Sequence, residues 1–289
     1  MNGILLVDKP ADWTSMDVCA KLRGAVGEKR VGHSGTLDPM ATGLLVVFLG
    51  RATRAVEFAE ADEKSYEATL LLGVVTDTQD TTGTVLETRP VTVTEDALEA
   101  ALARFRGEIE QLPPMYSAIK IDGQPLYKAA RKGGEVERPK RRIMIYALER
   151  RGGELPEAAL YVRCSKGTYI RALCHDIGEA LGCGGAMAAL RRTAAGPFRL
   201  EDAHTLDKIL AAAEEGSLGR WLLPVDTLFP EAKRVLLSVS QEKTVRNGGS
   251  YTCRLPERRY RLYAQNGEFL ALGELRRGKM ETIKSFFEV

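Results

Sequence analysis

Residues 32–45 read GHSGTLDPMATGLL, and the only carboxylate in the stretch is Asp38. Asp38 follows Gly35-Thr36-Leu37 and precedes Pro39. Proline disfavours the helical region for the residue before it, so Asp38 belongs on extended or turned backbone. Gly32, Gly35 and Gly43 allow tight bends and the close approach of a ligand. Two readings of the carboxylate follow: a turn former, or a reagent used as nucleophile or base. The stretch has no GxxxxGK[ST], so it is not a Walker loop. It also lacks the paired acids that a phosphoryl-accepting aspartate shares with magnesium. A lone catalytic carboxylate has to be ionised, and a cation has to hold it so.

CSKGTYIRAL, residues 164–173, offers that cation. A strand ends near Ser165, Lys166-Gly167 turn, and a helix begins, with Tyr169 and Arg171 in its first turn. Strand-to-helix junctions project side chains into clefts from a rigid scaffold. Arg171 keeps its charge at any working pH and pairs with a carboxylate bidentately; the plainer reading is a surface arginine at a helix cap. Tyr66, in KSYEATLLLG, is either a core aromatic or a platform on which a nucleobase stacks. His33, one of three histidines, is either a general base or a structural hydrogen-bonding group.

The elements that must hold these residues are legible from periodicity. Ile4–Val7 reads as a strand, and Thr14 or Ser15 caps a helix whose Val18, Cys19, Leu22 and Ala25 share a face until Gly27 ends it. Leu44–Leu49 reads as a buried strand. In residues 64–73, Tyr66, Ala68, Leu70 and Leu72 alternate onto one face. A turn-rich segment, 77–83, leads to a strand at 84–87. Thr94 caps a helix with the stripe Leu98, Ala101, Leu102 and Phe105. Ile143 and Ile145 alternate, as do Val162 and Cys164. Thr168 caps a helix with the stripe Ile170, Leu173, Cys174, Ile177 and Leu181, and a glycine-rich break at 182–185 precedes a second short helix ending near Arg192. Thr205–Glu215 is one more helix. After Pro224 short β-like runs appear. Asn-Gly pairs at 247–248 and 266–267 predict type I′ hairpins in a small barrel or sandwich, with a domain boundary near residue 230.

Composition bounds the rest. With 44% hydrophobic and 28% charged residues in 289, the chain is a folded protein rather than a disordered one. Its longest apolar run, Leu44–Leu49, is far short of a membrane span. MNGILLVDKP carries Asp8 and has no basic n-region, so the expected compartment is the cytosol. Five cysteines at irregular spacing, without a CxxC pair, predict structural thiols rather than disulfides or zinc ligands. Net charge is only +2, but residues 120–142 hold eight basic against three acidic residues, and 231–289 twelve against seven. Positive charge so concentrated is a footprint for a polyanion.

GHSGTLDPMATG, KSYEATLLLG, PPMYSAIKIDGQPLYKAARKG and CSKGTYIRALCHDIG occur in that order, flanked by NGILLVDKPADWTS and LRRTAAGPF. Together they resemble the TruB family of bacterial tRNA pseudouridine-55 synthases, strongly over residues 2–226 and more weakly beyond. The signature departs at Ser34, where threonine is common; the hydroxyl is kept. The resemblance implies a mixed α/β (α+β) core with a large, mostly antiparallel sheet over residues 1–230. A thumb-like RNA-binding insertion would occupy about 120–142, and a small PUA-like RNA-binding β-barrel 231–289. It implies isomerisation of a uridine in the tRNA T-arm, without cofactor or metal.

Matched residue by residue, the resemblance makes Asp38 the essential aspartate and Arg171 its partner. Tyr66 becomes the tyrosine that stacks on the target base and abstracts the C5 proton. Tyr169 and Leu190 line the uracil pocket, and His33 meets the RNA. Arg54, Lys120, Lys128, Arg131, Lys132, Arg141 and Arg142 become RNA-binding candidates. The implied partner is tRNA, with no membrane, no required protein partner and a monomeric chain. The competing class is a tRNA-binding or RNA-folding protein without catalysis; an RNA-guided synthase is disfavoured by the basic insertion.

Overall fold

The computed structural model describes residues 1–59, 63–117, 120–121, 124–125 and 136–287. Two units divide the chain: Met1–Asp38, Leu45–Glu60 and Asp202–Val289 form one, and Pro39–Leu44 with Ala61–Glu201 form the other.

The second unit is built on antiparallel pairing in the order Gly185–Ala195, Glu63–Leu72, Glu157–Ser165, Arg141–Gly152, Gly107–Gln111. Thr42 and Gly43 pair in parallel with Arg191 and Arg192, which makes the sheet mixed. Glu63–Leu72 alternates as its sequence predicts and buries Tyr66, Ala68, Leu70 and Leu72. Helix Ile170–Ala180 lays Ile170, Leu173, Cys174 and Ile177 into the core. At Gly178 a Cβ would lie 2.2 Å from the backbone nitrogen of Gly185, so only glycine lets helix and strand approach this closely.

Gly185–Ala195 corrects the expectation of a short helix ending near Arg192. Its Ala, Met, Leu and Arg residues favour helix, but pairing with Glu63–Leu72 along its length overrides propensity. Register shifts between Met187 and Ala189 and between Arg192 and Ala194 erase the period-two pattern that would have marked a strand. A second correction concerns the helix cap. Thr168 donates to the Ser165 carbonyl at 2.9 Å, and the N-cap is Tyr169.

In the first unit, helix Ser15–Val26 opens with a full capping box between Thr14 and Asp17 and closes on Gly27 in the left-handed region. Its Val18, Cys19 and Leu22 pack with Leu5, Val7, Leu45, Val47, Leu206 and Ile209. Residues 233–285 form a five-stranded half-barrel sheet around a separate core that includes Leu237, Val245, Leu262 and Met280, a PUA-like arrangement. Helix Val239–Arg246 adds to the β-like runs expected there; only its Val245 is buried, so no apolar stripe marks it. Its signal is the capping box Ser238–Gln241.

The Asn-Gly expectation also shifts. Asn247 and Gly248 end that helix, and at 266–267 only Gly267 has positive φ. Within 231–287 the consecutive pair with positive φ, the type I′ signature, is Arg277-Gly278. Among the described residues no helix is long and apolar enough to cross a membrane.

Candidate active site

Arg171 sits one residue inside helix Ile170–Ala180 and is only 5% exposed, so it is not the surface arginine of the plainer reading. Its guanidinium donates to the carbonyls of Thr78 at 3.0 Å and Tyr116 at 2.8 Å. It also pairs with the Asp80 carboxylate at 3.5 Å. Buried charge persists only when paired and hydrogen-bonded, and this one has both. Asp80 is itself buried and held: its Oδ1 accepts from Thr78 Oγ1, Thr82 Oγ1 and the Thr82 amide at 2.8, 2.6 and 3.0 Å. The turn carrying it is tied to the sheet by Thr81 N–H donating to Met187 O, and Met187 N–H to Gln79 O.

Tyr66 occupies mid-strand, with Val162 beside it on one neighbour and Arg192 on the other. Arg192 is 1% exposed, and its Nε donates to the Leu44 carbonyl at 2.7 Å. Burial pushes this guanidinium below its ordinary value, while the Tyr66 hydroxyl, hydrogen-bonded to it, opposes the shift. Leu190 lies on the same face, opposite Ala68 in register. Gly43, at φ +95°, accommodates protein rather than ligand. A Cβ there would meet the Arg192 carbonyl oxygen at 2.4 Å.

Asp38 lies in the loop after strand Val31–Ser34 and is half-buried. One residue earlier the loop is pinned. Ser15 Oγ accepts from the Leu37 amide at 2.9 Å and donates to the Leu37 carbonyl at 3.2 Å. Both residues are buried, so the first turn of helix Ser15–Val26 fixes the backbone that presents Asp38. His33 faces Val47 in the register of the hairpin and is half-buried. Exposed Arg54 donates to Ser285 Oγ at 3.0 Å. Arg141 and Arg142 are exposed at the start of strand Arg141–Gly152, Arg142 3.6 Å from Glu108. Lys120 is placed only by its backbone pairing with Pro125, and Lys128, Arg131 and Lys132 lie outside the described residues.

The model of the TruB family pseudouridylate synthase N-terminal domain matches residues 23–170, and that of the tRNA pseudouridylate synthase B C-terminal domain matches residues 171–230. The chain belongs to the TruB family. A relative from Opitutus terrae named tRNA pseudouridine synthase B is 54% identical over 73% of this chain and 88% of its own. One of the same name from Clostridium kluyveri is 39% identical over 99% of this chain and all of its own. Among solved structures, a Cbf5-Nop10-Gar1 complex contains a chain of 27% identity and TM-score 0.74, covering 99% of this chain and 85% of that one.

In this TruB-family chain the cysteines stand apart from the chemistry. Burial pushes the thiols of Cys19 and Cys164 up to about 11 and that of Cys174 to about 12, far from a working nucleophile. Three polar residues in contact with the matched TruB positions escape a reading of the sequence: Asp80, Arg192 and Gln111. For Asp80 a signal is present. Thr78-Gln79-Asp80-Thr81-Thr82 flanks one carboxylate with hydroxyls, the composition of a satisfied Asx turn. For Arg192 and Gln111 the sequence carries no local sign.

Proposed function

We propose that this chain isomerises uridine 55 in the T-arm of tRNA to pseudouridine. The observation that carries the reading is the family match across residues 23–230 in a chain that retains Asp38, Tyr66 and Arg171. The reaction breaks the glycosidic bond, turns the uracil and joins C5 to the ribose. A base inside a folded T-loop is out of reach, so it is flipped out at a cost of a few kcal/mol. Stacking on Tyr66 returns about 1–3 kcal/mol of this.

Asp38 is the reagent, attacking C6 of uracil or C1′ of ribose, or taking the 2′ proton; each route uses the anion. Arg171 is its cationic partner. In the last step Tyr66 takes the proton from C5. The Arg192 guanidinium is hydrogen-bonded to that hydroxyl. Tyr169 and Leu190 line the uracil pocket, and His33, Arg54 and the basic residues of 120–142 meet the RNA. Residues 231–289 add phosphate contacts as a domain of their own. The enzyme works alone, as a monomer in the cytoplasm.

The test is pseudouridine mapping in unmodified tRNA after incubation with the purified protein, alongside tritium release from 5-tritiated uridine. Wild type is expected to modify one T-arm uridine. Asp38→Asn is expected to bind tRNA with unchanged affinity and to release no tritium. Release at the wild-type rate by that variant would remove Asp38 from the chemistry. Absence of pseudouridine with the wild-type protein would overturn the reading.

A further inference from the structure

Gln111 closes strand Gly107–Gln111 and is 1% exposed. A buried primary amide needs partners for a carbonyl and for two N–H groups. Gln111 finds two of these on a single residue: its Oε1 accepts from the Tyr169 amide at 2.8 Å and its Nε2 donates to the Tyr169 carbonyl at 3.0 Å. An amide joined to both the N–H and the C=O of one residue does what a neighbouring strand does. It fixes φ and ψ together. Tyr169 is where that matters, because its backbone, at φ −103° and ψ 111°, is the step from turn to helix.

Helix Ile170–Ala180 has no side-chain cap of its own. The Tyr169 carbonyl also accepts the first helical bond, from Leu173 N–H at 3.0 Å. Both of its lone pairs are therefore used, one by the helix and one by Gln111. The same segment grips the helix start a second time, five residues on, where the Tyr116 carbonyl accepts from Arg171. Between the two grips lie Pro113 and Pro114, both buried, whose fixed φ stiffens the link.

We propose that Gln111 is a positioning residue for the site, an amide clamp on the Tyr169 backbone that sets the aim of the Tyr169 and Arg171 side chains. The proposal rests on the role given to those two residues above. A productive site tolerates about 0.5 Å of misplacement, and a shift of about 1 Å costs up to about 100-fold in rate. An amide that holds the residue two positions before Arg171 acts on that scale without touching the substrate.

The experiment is a double-mutant cycle in pseudouridine formation, with Gln111→Met, which keeps the length and loses both bonds, in wild-type and Arg171→Lys backgrounds. Gln111→Met is expected to lower kcat by about 30-fold while KM for tRNA stays within about 2-fold. In the Arg171→Lys background the same change is expected to cost under about 10-fold, because the part of the clamp's effect that runs through Arg171 is already lost while the part through Tyr169 remains. Hydrogen exchange of the Tyr169 amide is expected to accelerate in the variant. A kcat within about 2-fold of wild type, or the same loss in both backgrounds, would overturn the clamp. If Gln111→Met does not fold, Gln111→Asn, whose amide is one methylene too short to hold both Tyr169 groups, takes its place in the cycle under the same criteria. A wild-type protein that makes no pseudouridine sinks the proposed function; an active wild type with a silent Gln111 sinks only this inference.

Discussion

Asp80→Asn isolates one charge. The side chain keeps its shape, and its carbonyl oxygen still accepts from Thr78 and Thr82, but the ion pair with Arg171 at 3.5 Å disappears. Both partners are about 5% exposed, so water does not replace the lost charge. Two unit charges about 4 Å apart attract by about 4 kcal/mol at an effective dielectric near 20. Removing one member of a buried pair typically costs about 3–5 kcal/mol. The Thr78 and Tyr116 carbonyls still take the guanidinium, which brings the expected loss to the bottom of that range or just under it, about 2–3 kcal/mol. That loss has two outlets. If Arg171 stays in place, the loss of this attraction destabilises the fold by this amount. If it moves, the site loses its cation and turnover drops by about two decades. Urea denaturation reads the first outlet and single-turnover tritium release the second. A variant with unfolding free energy within about 0.5 kcal/mol of wild type and a turnover within about 2-fold would refute the claim that Asp80 compensates Arg171.

Ser15→Ala leaves the Leu37 amide without its buried acceptor; the expected result is a loss of about 1–3 kcal/mol in urea denaturation together with slower turnover, because the Asp38 loop is unpinned. Tyr66→Phe keeps the stacking ring but removes the hydroxyl that meets Arg192, so tRNA affinity is expected to hold while tritium release falls below detection. Burial keeps the Cys19, Cys164 and Cys174 thiols protonated through pH 8, about three pH units below the lowest of their values, about 11; iodoacetamide at that pH is expected to leave turnover unchanged. Replacing Lys128, Arg131 and Lys132 by glutamine is expected to lower the slope of log affinity against log salt by about 0.9 for each phosphate no longer neutralised, measured by filter binding of tRNA.

The chemistry-bearing residues are legible because the chain writes them in contiguous runs: GHSGTLDPM around Asp38, KSY around Tyr66, GTYIRAL around Tyr169 and Arg171. Strand 63–72 and the capped helices are legible because each buries one clean face. Strand 185–195 is not, since two register shifts scramble the alternation and alanines mimic a helix. Helix 239–246 is not either, since it lacks a buried stripe. In each case the missing information is tertiary. A strand in the middle of a sheet is defined by its neighbours, and a helix with one buried residue by its caps.

The anchors' pairings are invisible in the sequence for a related physical reason. Leu37 is gripped by Ser15, Tyr169 by Gln111, and Arg171 by Asp80; Tyr66 is hydrogen-bonded to Arg192. The partners are 22, 58, 91 and 126 residues apart, so no local pattern links them. Each anchor is a buried polar group. Each would be costly without its partner and is close to neutral with it. That asymmetry is what an active site needs. Apolar packing tolerates small slides, whereas a buried serine, glutamine or aspartate that slips leaves a donor or an ion uncompensated at a cost of kilocalories. The site residues therefore draw their geometry from polar contacts whose energy falls steeply with displacement, and the proposed assignment of Gln111 follows the pattern already visible at Ser15 and Asp80.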